Sequence, residues 1–366
     1  MHMKFFKRFP VALLPTVLLF ACQPASTPEQ QLLDTIGKQV ILTNHQDFSG
    51  QTGQLQQLST GFCANPDAGQ LERLRQQWRD AMAAWQRVKL IGFGPILVHN
   101  QSWKIQFWPD KKNLVRRKAE ELLNGDDPLT VERVDQASVV VQGLSALEYL
   151  LFDQDTGQLA NYQSDKLAGR RCQLLQAVSQ HTHKVAQGLS DAWQNHYLQH
   201  FTQPGPDNTD YPDSAASMSA LLDALVTAVE VARHDQLGQP LGHGARGDFP
   251  RPFLAEAWRS RYSSGALHAN LEAARALYLG GDGFGFDDYL RQKGQKTLAD
   301  KLSNQFSQVI GQSAALPAMF DAVNDKLTRK PLEQIYQTAG ELLATLKREL
   351  PPALGLSLGF NANDGD

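Results

Sequence analysis

The stretch SVVVQGLSALEYLLF, residues 138–152, decides the fold class because its polar side chains recur at helical spacing. On a helix, Ser138, Gln142, Ser145 and Glu148 form one narrow polar stripe, and the remaining surface is almost wholly apolar. A helix of this kind is normally buried. We therefore predict a buried helix in an all-α protein, where the carboxylate of Glu148 needs a cation, hydrogen bonds or a proton.

A second stretch, SALLDALVTAVEVAR at residues 219–233, has a similar pattern. Its polar stripe consists of Ser219, Asp223, Thr227 and Glu230. Aligning Glu148 with Glu230 places Ser145 on Thr227, which favours an internal duplication over a chance likeness between two amphipathic helices. Ser-x-x-Glu and Thr-x-x-Glu also begin helices as capping boxes, but several turns of good helix formers precede both.

The remaining periodicity is helical almost throughout, and signals for strands are poor. One clear apolar stripe consists of Leu71, Leu74, Trp78, Met82, Trp85 and Val88. The predicted loops are residues 63–69, 92–110, 203–217, 238–252 and 280–288. We predict two tandem four-helix-bundle-like domains related by duplication, residues 29–202 and 218–366, joined near residues 203–217.

The N-terminus predicts an exported lipoprotein. Lys4, Lys7 and Arg8 precede an apolar stretch, residues 11–21, that is too short to span a bilayer. The sequence Leu-Phe-Ala-Cys ending at Cys22 resembles a bacterial lipobox, so residues 1–22 are predicted as a lipoprotein signal peptide with lipidation at Cys22. Residues 23–28 are then a tether. An ordinary cleaved signal peptide is the alternative, and it would change the anchor but not the compartment.

Glutamine rather than aspartate follows Cys22, which by the known sorting rules implies the periplasmic face of the outer membrane. The membrane is thus an expected partner through the lipid anchor. No later segment is expected to span it. The other two cysteines, Cys63 and Cys172, are predicted to form a disulfide, since they make an even pair in an oxidising compartment. Two isolated cysteines cannot form a four-ligand thiolate zinc site.

The charge balance excludes one class of partner. Removing Lys4, Lys7 and Arg8 from the 35 basic residues leaves 32 against 38 acidic residues, a net charge of −6. A nucleic-acid-binding protein would need a concentrated basic surface, so no nucleic-acid partner is expected.

Residues 143–152, GLSALEYLLF, resemble the signature of the imelysin family, whose members carry Gly-x-His-x-x-Glu there. Further matching landmarks are Trp85, Phe93-Gly94-Pro95-Ile96, Gln106-Phe107-Trp108-Pro109-Asp110, Asn270-Leu271-Glu272, Leu277-Tyr278-Leu279-Gly280, Leu358-Gly359-Phe360-Asn361 and Asp364-Gly365-Asp366. The resemblance covers essentially the whole mature chain. It implies two tandem four-helix bundles in a surface-anchored or periplasmic protein associated with bacterial iron uptake. Expected partners are iron-uptake or redox proteins.

The chain departs from the family signature at one position, where Ser145 replaces the histidine. A histidine and a glutamate three residues apart lie on one helical face and can share a metal ion, whereas serine is a poor ligand for zinc or ferrous iron. No His-Glu-x-x-His motif replaces it, so no catalytic residue is predicted. A metallopeptidase remains an alternative that would require Glu148 with His234 or His243. A helical module that only docks a protein is another.

The predicted site lies between the two bundles and binds iron as an ion, a chelate or haem. Its residues are predicted to be Glu148, Ser145, Gln142, Arg87, Glu230, Thr227 and Trp108. Glu148 is the principal polar group and a candidate metal ligand, which Ser145 would orient and Arg87 would balance in charge.

Overall fold

The structure is a computed structural model that describes residues 1–2, 26–244 and 249–357. These residues form helices, and no strand occurs among them. The predicted all-α class is therefore confirmed. The signal peptide and Cys22 lie outside the described residues, apart from Met1 and His2.

The α-helices of the first half are α1 (Pro28–Thr35), α2 (Thr43–Ala64), α3 (Ala68–Lys89), α4 (Gln101–Ile105), α5 (Leu114–Asn124), α6 (Val131–Gln136), α7 (Leu144–Phe152), α8 (Ala160–Gln163), α9 (Ala168–Ala192) and α10 (Leu198–Thr202). Those of the second half are α11 (Ser214–Glu230), α12 (Gln239–Leu241), α13 (Ser263–Leu279), α14 (Phe286–Gln292), α15 (Lys296–Ala314), α16 (Met319–Ala322), α17 (Lys330–Arg348) and α18 (Leu350–Leu354). Three π-helical segments, Ile36–Leu42, Trp193–Tyr197 and Val231–Gly238, and three 3₁₀ segments, Gly94–Asn100, Val139–Val141 and Pro252–Leu254, complete the helical structure.

Two apolar cores organise the helices. The first core lies among α2, α3, α5, α7 and α9, and the indoles of Trp78 and Trp85 fill much of it. The second lies among α1, α11, α13, α15 and α17. The two halves meet where α3 packs against α13.

The N-terminal helix belongs to both cores. Residues 28–64 are helical without interruption, because the π-helical segment Ile36–Leu42 joins α1 to α2. Leu32, Leu33 and Ile36 are buried in the second core, whereas Phe48 and Leu55 are buried in the first. The packing therefore does not follow the boundary near residues 203–217 that the sequence predicts, since apolar side chains before residue 42 cover the second half.

The stretch 138–152 is not one helix, which corrects the sequence analysis. Val139–Val141 is 3₁₀, Gly143 is the extended N-cap, and α7 begins at Leu144. A Cβ atom on Gly143 would lie 2.1 Å from the carbonyl oxygen of Ile105, so this close approach requires glycine. The second stretch is α-helical to Glu230 and continues as a π-helix. The duplication stays a prediction.

Two segments between the long helices carry structure that matters for the site. Residues 92–110, a predicted loop, contain the 3₁₀ segment Gly94–Asn100 and the helix α4. Residues 249–262, which we call the strap, overlap the predicted loop 238–252 only at its end, lead into α13 and lie against the first half. Ala257 of the strap is buried in the first core, against which Tyr262 also packs, although both follow α11 in the chain.

A disulfide joins Cys63 near the end of α2 to Cys172 near the start of α9, with the Cα atoms 5.5 Å apart. Among the described helices, one continuous run, residues 214–241, is long and apolar enough to cross a membrane by length and composition. Most of that window is buried inside the protein, as in a core helix, so this run carries no claim about a membrane.

Candidate functional site

A cleft of about 680 Å³ lies where the two halves meet. It is bounded by the end of α3, by residues 92–109, and by one face of α11 and the π-helical segment that follows it. The first half contributes four aromatic side chains, Trp85, Phe93, Trp103 and Trp108. Asp223, Thr227 and Asp235 follow one another along the opposite wall. A cleft of this size with aromatic walls and few polar groups is typical of small-molecule sites.

A buried carboxylate binds two side chains that line this cleft, Lys89 and Gln106, and we call this part of the cleft its base. Glu256, carried by the strap, is 1% exposed. Its Oε1 atom accepts hydrogen bonds from Gln86 Nε2 at 3.0 Å and Gln106 Nε2 at 2.8 Å, and it pairs with Lys89 Nζ at 2.6 Å. Its Oε2 atom accepts a bond from Gln236 Nε2 at 2.5 Å. We call these five residues the Glu256 network.

The network fixes the charge state of Glu256. Burial acts to raise the pKa of this carboxyl, but the Lys89 ammonium and the side-chain amide donors outweigh it, so the pKa lies below its usual value. Lys89 also lies 5.6 Å from the ring centre of Trp108, a cation–π distance. The base of the cleft is thus an ion pair of no net charge, and Lys89 and Gln106 also line the cleft.

Further hydrogen bonds attach this base to both halves. Trp85 Nε1 donates to Gln106 Oε1 at 2.7 Å, and Trp108 Nε1 donates to the strap carbonyl of Leu254 at 3.1 Å. On the other side, Asn270 Nδ2 donates to Gln236 Oε1 at 2.9 Å. On the opposite wall, in the π-helical segment that follows α11, burial raises the pKa of Asp235 above its usual value, since it outweighs the opposing effect of His234 and the nearby lysines.

Glu148 lies in a separate, much smaller cavity of about 20 Å³, which also touches Ser145 and Trp108. Its Oε1 atom accepts two hydrogen bonds, from the backbone N–H and the Oγ–H of Ser260, both at 2.9 Å. Burial raises the pKa of Glu148, because it outweighs the field of Arg259 and the Ser260 bonds. Glu148 therefore holds the strap against α7.

Ser145, which was predicted to orient this glutamate, and Gln142, which was predicted to lie beside it, both bond elsewhere. Ser145 Oγ donates to the carbonyl oxygen of Phe107 at 3.0 Å. Gln142 Nε2 donates to the carbonyls of Val134, Asp135 and Ala137, at the C-terminal end of α6. Ser145 thus ties the 92–109 segment to α7, and Gln142 caps α6.

The predicted charge partner of Glu148 is also corrected. Arg87 pairs with Asp47 on α2, and both side chains are about one-third exposed. The cation that acts on Glu148 is Arg259 of the strap, whose charge lowers the pKa of Glu148 against the effect of burial. Arg259 itself pairs with Asp153 at 3.1 Å. Arg87 is unsuitable because α3 directs it towards α2 instead of α7.

The structure brings only part of the predicted site together. Thr227 and Trp108 line the cleft, whereas Glu230 is buried and pairs with Lys347 of α17. The sequence analysis missed the Glu256 network. A signal for part of it existed, since Gln86 lies within the apolar stripe of α3, but nothing near Glu256 marked it as buried.

The donors for a metallopeptidase centre do not fit. No group of three or more His, Cys, Asp or Glu side chains that could hold a metal ion occurs in the described residues. His243 Nε2 lies 2.7 Å from Glu333 Oε2, and His234 Nε2 lies 3.3 Å from Arg233. Glu148 accepts hydrogen bonds from Ser260, and Ser145 donates one to the carbonyl oxygen of Phe107. These side chains therefore do not form the ligand set of a metallopeptidase.

These observations define a helical protein with an aromatic cleft at the junction of two cores. Residues 41–346, more than half of the chain, match the imelysin family. The chain belongs to this family, which confirms the resemblance seen in the sequence.

Individual relatives agree. Iron-regulated protein A of Synechococcus elongatus is 24% identical over 347 residues, which cover 92% of this chain and 90% of the relative. The crystal structure of an imelysin-like protein from Psychrobacter arcticum superposes with a TM-score of 0.76 at 20% identity, covering 91% of this chain and 97% of that one. The crystal structure of a candidate iron-regulated protein A precursor from Parabacteroides distasonis superposes with a TM-score of 0.71 at 14% identity, covering 89% of this chain and 96% of that one. The two structures show a shared fold.

Proposed function

We propose that this chain is a lipid-anchored, ligand-binding component of bacterial iron uptake on the periplasmic face of the outer membrane. The observation that carries the proposal is the aromatic cleft between the halves, whose volume is typical of pockets that bind small organic ligands. The association with iron comes from the family and from the name of the Synechococcus relative. The anchor rests on the lipobox-like sequence ending at Cys22.

The cleft favours iron that arrives already coordinated, as an organic chelate or as haem. Its walls supply aromatic faces, the ammonium of Lys89, which is paired with Glu256, and the carboxylates of Asp223 and Asp235. They do not supply a group of three metal-ligating side chains. Aromatic walls gain most from a ligand with flat or apolar surface. A bare ferrous or ferric ion would leave most of the cleft unfilled.

Binding is testable by tryptophan fluorescence, because Trp85, Trp103 and Trp108 line the cleft. The protein lacking residues 1–22, with its disulfide formed, would be titrated with haem, a ferric hydroxamate chelate, a ferric catecholate chelate and ferrous ion. Isothermal titration calorimetry would give the affinities. We expect saturable binding of haem or one chelate at one site, and weaker or no binding of the bare ion.

A cleft-filling variant locates the site. Thr227→Phe should weaken binding by about 10- to 100-fold, because overpacking an occupied space costs about 1–3 kcal/mol. Thr60→Phe, on the exposed face of α2, is the matched control and should bind normally. Equal affinity in both variants would place the ligand outside the cleft. No binding of any iron compound by the unmodified protein would refute the ligand-binding function and leave a docking module.

The anchor needs a separate test. Full-length protein should incorporate radiolabelled palmitate and sediment with outer-membrane fragments, whereas Cys22→Ala should do neither. Incorporation into neither protein would refute lipidation without affecting the cleft.

A further inference from the structure

The 3₁₀ segment Gly94–Asn100 exposes apolar side chains in a way that the cleft does not explain. Leu97 is 67% exposed and Val98 is 53% exposed, and neither lines the aromatic cleft. Two consecutive residues after Val98, His99 and Asn100, adopt left-handed backbone conformations with φ of 54° and 57°.

We propose that Leu97 and Val98, which we call the apolar tip, insert into the lipid surface to which the protein is anchored. The inference rests on the proposed anchor at Cys22. Its structural basis is a series of contacts that joins the segment carrying the tip to α1.

A short series of contacts connects these two elements. Gln30 Nε2 in α1 donates to the carbonyl oxygen of Thr202 at 2.7 Å. The neighbouring Phe201 stacks on Phe93, with ring centres 5.1 Å apart, and Phe93 directly precedes the segment that carries the tip. Phe201 also packs on Tyr211, 5.2 Å between ring centres. The apolar tip and Tyr211 line one open groove of about 600 Å³.

Chain length brings this end close to the bilayer. The six Cα–Cα steps from Cys22 to Pro28, where α1 begins, can reach at most about 20 Å even when fully extended. An acylated Cys22 would therefore hold the start of α1 within that distance of the membrane surface. Thr202, Phe201 and Phe93 join α1 to the segment that carries the apolar tip, and from this we infer that the tip comes close to the headgroup region.

A lipid surface suits the tip better than a protein partner does. A stable protein interface buries about 800 Å² on each side, far more than two aliphatic side chains present. A second, weak membrane contact needs only a few apolar side chains, since the lipid anchor supplies most of the affinity and single anchors gain from an additional signal.

The test measures depth in the bilayer and does not depend on acylation. A hexahistidine tag would replace residues 1–22, and vesicles of phosphatidylethanolamine and phosphatidylglycerol with a nickel-chelating lipid would hold the protein by its N-terminus. Leu97→Cys would be labelled with an environment-sensitive dye, since the other cysteines are in the disulfide. Leu327→Cys, also a highly exposed leucine, is the matched control.

We expect a blue shift at position 97 and loss of its fluorescence when nitroxide-labelled lipids are included, with no change at position 327. No quenching at position 97, equal quenching at both positions, or quenching at 327 alone would each overturn the proposal. Circular dichroism of both labelled proteins shows that the fold is retained. Failure of palmitate incorporation in the full-length protein would instead refute the anchor, and this tethered assay would not detect that.

Discussion

Replacing Lys89 with methionine should destabilise the protein by about 3 kcal/mol at neutral pH, because the change leaves a buried carboxylate without its cation. The Glu256 side chain is 1% exposed, and that of Lys89 is 15% exposed. Removing one partner of a buried ion pair costs about 3–5 kcal/mol. The lower end applies here, since the amides of Gln86, Gln106 and Gln236 still donate to the carboxylate.

The pH dependence distinguishes this cause from lost packing. In the unmodified protein the pKa of Glu256 is lowered on folding, so its stabilising contribution is present above the unfolded pKa and is lost as the pH falls through the folded pKa. Without Lys89, burial should dominate and raise the pKa instead. The variant would then regain stability on acidification, while the unmodified protein does not. The difference between them should shrink from pH 7.5 to pH 5.

Urea unfolding followed by circular dichroism at both pH values measures this difference. The double variant Lys89→Met with Glu256→Gln is the control, because it removes both charges and should recover much of the loss. A destabilisation that is equal at pH 7.5 and pH 5, or a double variant no more stable than Lys89→Met alone, would refute the ion-pair explanation.

Three further outcomes follow from the contacts. Glu148→Gln keeps an oxygen acceptor for Ser260, and because burial raises the pKa of Glu148, the unmodified protein loses stability as the pH rises through that pKa. The urea midpoint of the variant should therefore match that of the unmodified protein near pH 4.5 and exceed it at pH 7.5. Parallel pH profiles of the two proteins would contradict this. Arg87→Ala should cost less than about 1 kcal/mol by thermal unfolding and leave ligand affinity unchanged, since its pair with Asp47 is partly exposed. Cys63→Ser opens a disulfide that spans 109 residues and should cost about 4 kcal/mol in urea unfolding, whereas a loss below 1 kcal/mol would show that the bond adds little.

Periodicity predicted the helical class correctly but not how the helices share the cores. The buried stripe of α3 was readable because apolar residues recur every three or four positions. The same signal cannot show that Leu32 and Ile36 cover the second core while Phe48, farther along the same helix, covers the first. It also failed at Gly143, since a helical pattern in the side chains does not reveal that the carbonyl of Ile105 passes close to that backbone.

The residues predicted for the site come together only in part. Trp108 and Thr227 line one cleft at the junction of the halves, whereas Glu148 and Gln142 do not line it. Glu256 was not predicted, since it lies in an irregular segment without periodicity. The sequence analysis also paired Arg87 with Glu148, whereas it pairs with Asp47. A sequence shows that opposite charges are present but not in which direction their side chains point.

The strap changes the meaning of the family signature in this chain. Ser260, which Glu148 binds, lies four residues beyond Glu256, which binds Lys89 and Gln106 at the base of the cleft. Glu148 thus fixes the segment that carries the cleft base, although it lies in a separate cavity and its Oε1 atom is occupied by Ser260. Loss of ligand binding in a Glu148→Ala variant would therefore be expected even if Glu148 never touches the ligand. Only a variant that keeps the Ser260 bonds, such as Glu148→Gln, can separate a contact to the ligand from support of the strap.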